Sequence, residues 1–195
     1  MTAPNRLAPK RPPRGDGESR WPAALATVVA VLLYGALPSD LLVGPRYVIP
    51  VLELVILAVV IAANPVRMTR QTKYSRLAAL ILTFLIMATN LVSLVLLLHR
   101  LTSSGSSRGD ALLLAALQVW LTNVIVFGLA YWELDRGGPV VRHHSARPAL
   151  PAADFRFPQD EDRDTIDEVA KGSAVLSGWL PQFIDYVYVS LTNSS

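Results

Sequence analysis

The chain predicts an all-α fold: a transmembrane helical bundle with four spans plus a partly disordered cytoplasmic tail. Three observations carry that expectation. Hydrophobic residues make up 52% of the 195 residues and charged residues 17%, against roughly 25% charged in a soluble domain. Mean hydropathy is +0.38, and the apolar residues lie in continuous blocks, where a soluble core would scatter them amphipathically. The blocks are joined by short polar linkers. Lipid offers the backbone no hydrogen-bond partner, so each block must be helical. β-barrel strands would instead alternate in polarity over about ten residues.

Residues 1–20 hold Pro4, Pro9, Pro12 and Pro13 among five Arg and Lys, with nothing to build a core, and read as a disordered basic arm. The four-helix domain covers 21–135, with spans at about 21–42, 47–63, 76–99 and 110–131. A basic region before an apolar block also suits a signal peptide. The first block is long for one, no small-x-small cleavage site follows, and three more blocks come behind it. The second block is at the short limit for crossing, about 17 residues. The third, about 36 Å as a helix, must tilt or protrude. Trp21, Tyr47, Tyr74, Tyr131 and Trp132 fall at the expected ends, where amphipathic rings are stable, whereas Trp120 falls mid-span and reads as a packing residue.

Orientation follows from the basic residues. Arg6, Lys10, Arg11, Arg14, Arg20, Arg67, Arg70, Lys73, Arg76, Arg136, Arg142 and Arg147 lie on one side, and only Arg46, Arg100 and Arg108 on the other. The amino terminus is therefore expected in the cytoplasm. Residues 136–177 read as a cytoplasmic linker with an acidic stretch, Asp160–Glu168, in which Thr165 and Glu168 match a capping box. Residues 178–195 are apolar again but interrupted by Pro181 and Asp185. They read as an interfacial or re-entrant segment.

The chemistry on offer is sparse. The chain has no cysteine, which excludes disulfides, thiolate catalysis and thiolate metal sites. No phosphate-binding glycine loop, serine elbow or His-Glu-x-x-His is present. His143 and His144 are adjacent on a linker, short of the three or four ligands a metal needs. No cofactor or metal is expected. The basic residues flank spans and do not share one face of a soluble fold, so nucleic acid is not an expected partner either. The bilayer is, together with a second copy or another membrane protein.

Glu53 is the most informative residue. An acid inside a span costs several kcal/mol unless it is neutral, paired or hydrated, which makes it a functional candidate by default. Either it serves a proton- or cation-linked site, or it sits near the outer interface, protonated or paired with Arg46. Asn90 in the third span, and Gln118, Thr122 and Asn123 in the fourth, form the next set. They are expected to hydrogen-bond between helices, or to join Glu53 in a polar pathway.

A family likeness rests on the tail. The run Tyr131-Trp132-Glu133-Leu134-Asp135-Arg136-Gly137-Gly138-Pro139 resembles a segment of an uncharacterised family of bacterial, actinobacterial-type multi-pass membrane proteins. So do Asp154-Phe155, Phe157-Pro158-Gln159, Trp179, Pro181, Phe183, Asp185-Tyr186, Tyr188 and Ser190-Leu191-Thr192-Asn193. The resemblance implies the cytoplasmic membrane of a bacterium and brings no established activity. Members of that family continue into a further apolar span, so it also implies that the last segment either is truncated here or lacks that span. The expected function is that of a non-enzymatic membrane component. The alternative is a small oligomeric ion channel or transporter using an intramembrane carboxylate.

Overall fold

In the computed structural model, which describes residues 17–63, 68, 72–103, 109–145, 149–157 and 179–194, the regular elements are helical. Helices α1 (Trp21–Gly35), α2 (Val48–Ala63), α3 (Lys73–Thr102) and α4 (Gly109–Leu134) are followed by the short α5 (Pro139–His144) and by α6 (Phe183–Asn193). The all-α class is therefore observed. The first four helices form a ring in chain order, each packed on the next and α4 closing on α1, while α6 lies outside it along α4. The end at which the chain enters α1 is called proximal below.

Among the described residues, α3 and α4, not four helices, are long and apolar enough to cross a membrane by length and composition. Helices α1 and α2 are apolar but have 15 and 16 residues, or about 22 and 24 Å of rise. The continuous helix expected over 21–42 does not form. Pro38 disfavours helical backbone at Leu37, α1 ends at Gly35, and Ser39–Leu41 forms a 3₁₀ turn. Leu37, Leu41 and Leu42 are nevertheless buried, packed with Tyr34 against Leu97, Ala115 and Val119. The turn thus fills the depth that the short helices leave open.

Its backbone is satisfied internally, as burial requires. The Ser93 hydroxyl donates to the Leu41 carbonyl (2.9 Å), and the Val43 amide donates to the Tyr34 hydroxyl (2.9 Å). Arg46 donates to the Gly35 carbonyl (2.7 Å), placing a cation at the negative end of the α1 dipole. An Arg100–Asp40 ion pair ties the turn to the end of α3.

Helix α3 starts three residues before the expected boundary at Arg76, because Thr72 and Ser75 form a reciprocal capping box. Helix α4 runs past Tyr131 to Leu134 and ends in a tight reversal. Arg136 (φ 53°), Gly137 (φ 79°) and Gly138 (φ 95°, ψ 172°) are consecutive left-handed residues. The Gly138 conformation is essentially restricted to glycine. The reversal turns α5 back beneath the end of α4.

Two expected boundaries are corrected at this end. The basic arm was expected to be disordered to residue 20, yet Glu18 is buried and its carbonyl accepts from the Met68 amide (3.2 Å). Gly17 lies so close to Met68 that a Cβ there would sit 2.4 Å from the Met68 carbonyl oxygen. The stretch read as a linker contains α5, with Arg142 fully buried. The rest of the arm (1–16) and the acidic stretch with its capping box lie outside the described residues, as do Arg67, Arg70, Arg108 and Arg147.

Candidate functional site

The proximal end holds the most developed polar arrangement, and it grows from Glu18. One carboxylate oxygen accepts from the Trp132 indole (2.9 Å) and from the Phe183 amide (2.7 Å). The second accepts from Arg142 (3.4 Å) and lies 3.5 Å from His143. Because Phe183 is the first residue of α6, the carboxylate satisfies an orphan N–H and meets the positive end of the helix dipole.

Arg142 is the cationic half of this clasp. It donates to the carbonyls of Trp132 (3.2 Å) and Asp135 (3.0 Å) at the end of α4, where a cation is favoured. Its guanidinium also stacks 5.0 Å from the Tyr186 ring centre, a cation–π contact. Asp135, fully buried, accepts from the Tyr186 hydroxyl (2.5 Å) and the Asp154 amide (2.8 Å) and lies 3.4 Å from Arg136. Around these groups Phe155, Tyr186, Phe157 and Trp179 make a chain of edge-on ring contacts, and Trp132 and Phe183 form a further edge-on pair. Trp132, Asp135, Phe155, Phe157, Trp179, Phe183 and Tyr186 thus meet in one place, although they are spread over more than 50 positions of sequence.

Beside the clasp, Arg20 donates to the Val60 carbonyl (2.5 Å). Burial pulls its guanidinium below the ordinary range, and the facing Glu133 carboxylate pushes back. Arg20 and Glu133 line a cavity of about 30 Å³ that continues between the helices to Thr27 and Thr83, room for roughly one water.

Glu53 lies deeper in the ring. It is 1% exposed, and neither carboxylate oxygen finds a hydrogen-bond partner among the described residues. Thr89 and Tyr34 are polar groups close enough to feel its charge. The Thr89 hydroxyl is used within its own helix, on the Leu85 and Ile86 carbonyls (both 3.0 Å). The expected alternative of a surface pair with Arg46 is not what forms, since Arg46 caps α1 and the packed turn covers this end of the ring.

Of the remaining expected set, the structure joins Asn90 and Asn123, whose side chains hydrogen-bond across α3 and α4 at 3.4 Å. Thr122 turns back to the Gln118 carbonyl (2.9 Å) and does not cross to another helix. Gln118 is half-buried one turn away. Asn90 follows Thr89 directly, so the Asn pair and Glu53 flank the same turn of α3. No continuous polar chain links them among the described hydrogen bonds.

Glu18, Asp135 and Arg142 escaped the sequence reading. Each sits beside Gly, Pro and Arg without periodicity, and the partners of Glu18 lie 114 to 165 positions away. The available signal was the pair of acids, Asp16 and Glu18, in an arm whose other charges are all basic. Among the described residues no group of three His, Cys, Asp or Glu is placed to hold a metal ion. No protein-family model, curated protein or solved structure matches this chain.

Proposed function

We propose that this chain is a four-span protein of the bacterial cytoplasmic membrane, amino terminus inside, that serves as a non-enzymatic membrane component. One observation supports it above the others. The largest buried polar arrangement spends its hydrogen bonds on other parts of the same chain, holding α4, α5 and α6 to residue 18. Its carboxylates and the Arg142 guanidinium are engaged within the chain itself, which supports a structural role for the cluster over acid–base chemistry. In this reading α1 and α2 span with the help of the packed turn, and α6 enters from the cytoplasmic side. Absence of cysteine makes the topology easy to test. A cysteine at Ser39 should react with an impermeant thiol reagent in intact cells, and one at His144 only after permeabilisation. The reverse pattern overturns the orientation.

A second reading, a small oligomeric channel or transporter, is favoured by Glu53 alone. A buried carboxylate with neither oxygen hydrogen-bonded among the described residues, at the level of Asn90 and Asn123, is expensive to keep, and a proton- or cation-linked step would account for it. Glu53→Gln keeps the shape and removes the titration. In proteoliposomes it should lower proton or cation flux by about a hundredfold or more, the range of an acid–base contribution. Unchanged flux would sink this reading.

A further inference from the structure

Between the two ends of the ring, Glu53 is the one acidic or basic residue. Helix α1 has none, α3 none between Arg76 and His99, and α4 none between Asp110 and Glu133. The helices packed on α2 are α1 and α3, and their Tyr34 and Thr89 are the polar groups near the carboxylate. Tyr34 is the titratable one, and its hydroxyl accepts from the Val43 amide. The charged groups of the distal turn are committed elsewhere, Asp40 to Arg100 and Arg46 to the Gly35 carbonyl. Among the described residues nothing balances a charge on Glu53, and an acid so buried is stable when a bound ligand neutralises it.

The two ends of the ring offer that ligand different access. Distally the packed turn closes the bundle, with Leu37, Leu41 and Leu42 against Leu97, Ala115 and Val119. Proximally, Glu53, Leu57 and Val60 share one face of α2, at the i, i+4, i+7 spacing. Leu57 and Val60 line the cavity that opens between Arg20 and Glu133, together with Thr27 of α1, Thr83 of α3 and Leu129 of α4. From Val60 to Glu53 the helix rises about 10 Å. Three residues deeper than Thr27, Thr83 and Leu129 come Ala30, Ile86 and Val126, all buried and in one apolar cluster with Leu57. A single apolar layer, one helical turn thick, thus separates the end of the cavity from the carboxylate.

We propose that Glu53 is a proton-binding site served from the proximal end alone, through the Arg20–Glu133 cavity, with the Ala30–Leu57–Ile86–Val126 layer as its gate. The inference rests on the second reading above, that Glu53 is kept for a proton- or cation-linked step, and names the ion and its route. A hard metal cation such as calcium or magnesium takes about six or more oxygen ligands. Here the Asn123 side-chain oxygen accepts from Asn90, the Thr89 hydroxyl donates within its own helix, and no second acid lies at this depth. A proton needs one oxygen. The carboxylate takes it from cavity water and returns it by the same path, one O–H bond forming as another breaks.

The test uses the full chain in right-side-out and inverted membrane vesicles, with the cysteine variants at Ser39 and His144 reporting which face is proximal. A lipid-soluble carbodiimide adds to a protonated buried carboxyl as an N-acylurea, no atom leaving, and mass spectrometry reads the adduct on Glu53. With the carboxylate mostly ionised, each pH unit of acid on the proximal face should raise the adduct about tenfold. Acid on the distal face alone should leave it unchanged. Thr27→Val with Thr83→Val keeps the shape of the cavity but removes its polar lining, and apolar cavities stay dry, so the response to proximal acid should slow several-fold. Labelling that follows the distal face, or neither face, overturns the one-sided site. An unslowed response in the double variant overturns the route. Suppression of the adduct by sodium, potassium or magnesium ions at fixed pH overturns the choice of the proton. Sided labelling beside an unchanged flux in Glu53→Gln supports the proton site and removes transport, whereas lost flux with labelling blind to proximal pH keeps transport and overturns the site proposed.

Discussion

Glu18→Ala is expected to cost about 3–5 kcal/mol of stability, the usual penalty for breaking a buried ion pair from one side. Arg142, 0% exposed, would lose its facing carboxylate, and the Trp132 indole and Phe183 amide would lose their acceptor together. The order of variants is the sharper result. Glu18→Gln keeps a side-chain oxygen for Trp132 and Phe183 and should fall between Ala and the parent. Arg142→Met alone leaves the acid buried with His143 3.5 Å away. The double change removes both charges, so it should cost less than the sum of the single changes. Thermal or denaturant unfolding in detergent measures all four. A Glu18→Ala variant within about 1 kcal/mol of the parent would mean that the clasp does not hold the tail.

Gly128→Leu should detach α6 from α4. A Cβ at position 128 already meets the Val187 Cγ2 at 3.1 Å and its Cα at 3.2 Å, and backbone cannot swing aside as a side-chain tip can. Close approach at small residues is how helices associate where lipid competes for apolar contact. Overpacking such a contact typically costs about 1–3 kcal/mol. The readout should be local as well as global. A cysteine at Ser190, 1% exposed in the parent, should become reactive when α6 lifts, whereas Gly35→Ala, with open space around its Cβ, should change nothing. Unaltered protection of position 190 in Gly128→Leu would contradict the observed α4–α6 packing.

The helical blocks were legible because hydropathy is a local property, readable from each segment alone. Bounds for α2 came out one residue from those expected, and α4 three residues longer at its end. The first block misled for an equally local reason. Leu37, Leu41 and Leu42 are as apolar as any helical residue, and only Pro38 signalled that they pack as a turn. Trp132 misled in another way. Its position suggested an interfacial ring, yet it is 3% exposed and bonded to a residue 114 positions away.

The candidate site divides along the same line. Glu53, and the Asn90–Asn123 contact, could be anticipated because a polar residue inside an apolar run stands out against its neighbours. The clasp could not, since Glu18 and Arg142 are polar residues among polar residues. By itself the sequence determined the helical class, the placement of its apolar blocks and the residues whose burial would need explaining. Tertiary structure alone decided that the arm's last residues, the reversal after α4 and the half-length α6 meet. Closing a carboxylate onto a guanidinium and a helix end across more than 100 positions depends on where chain segments lie in space, which no local pattern of hydropathy or charge encodes.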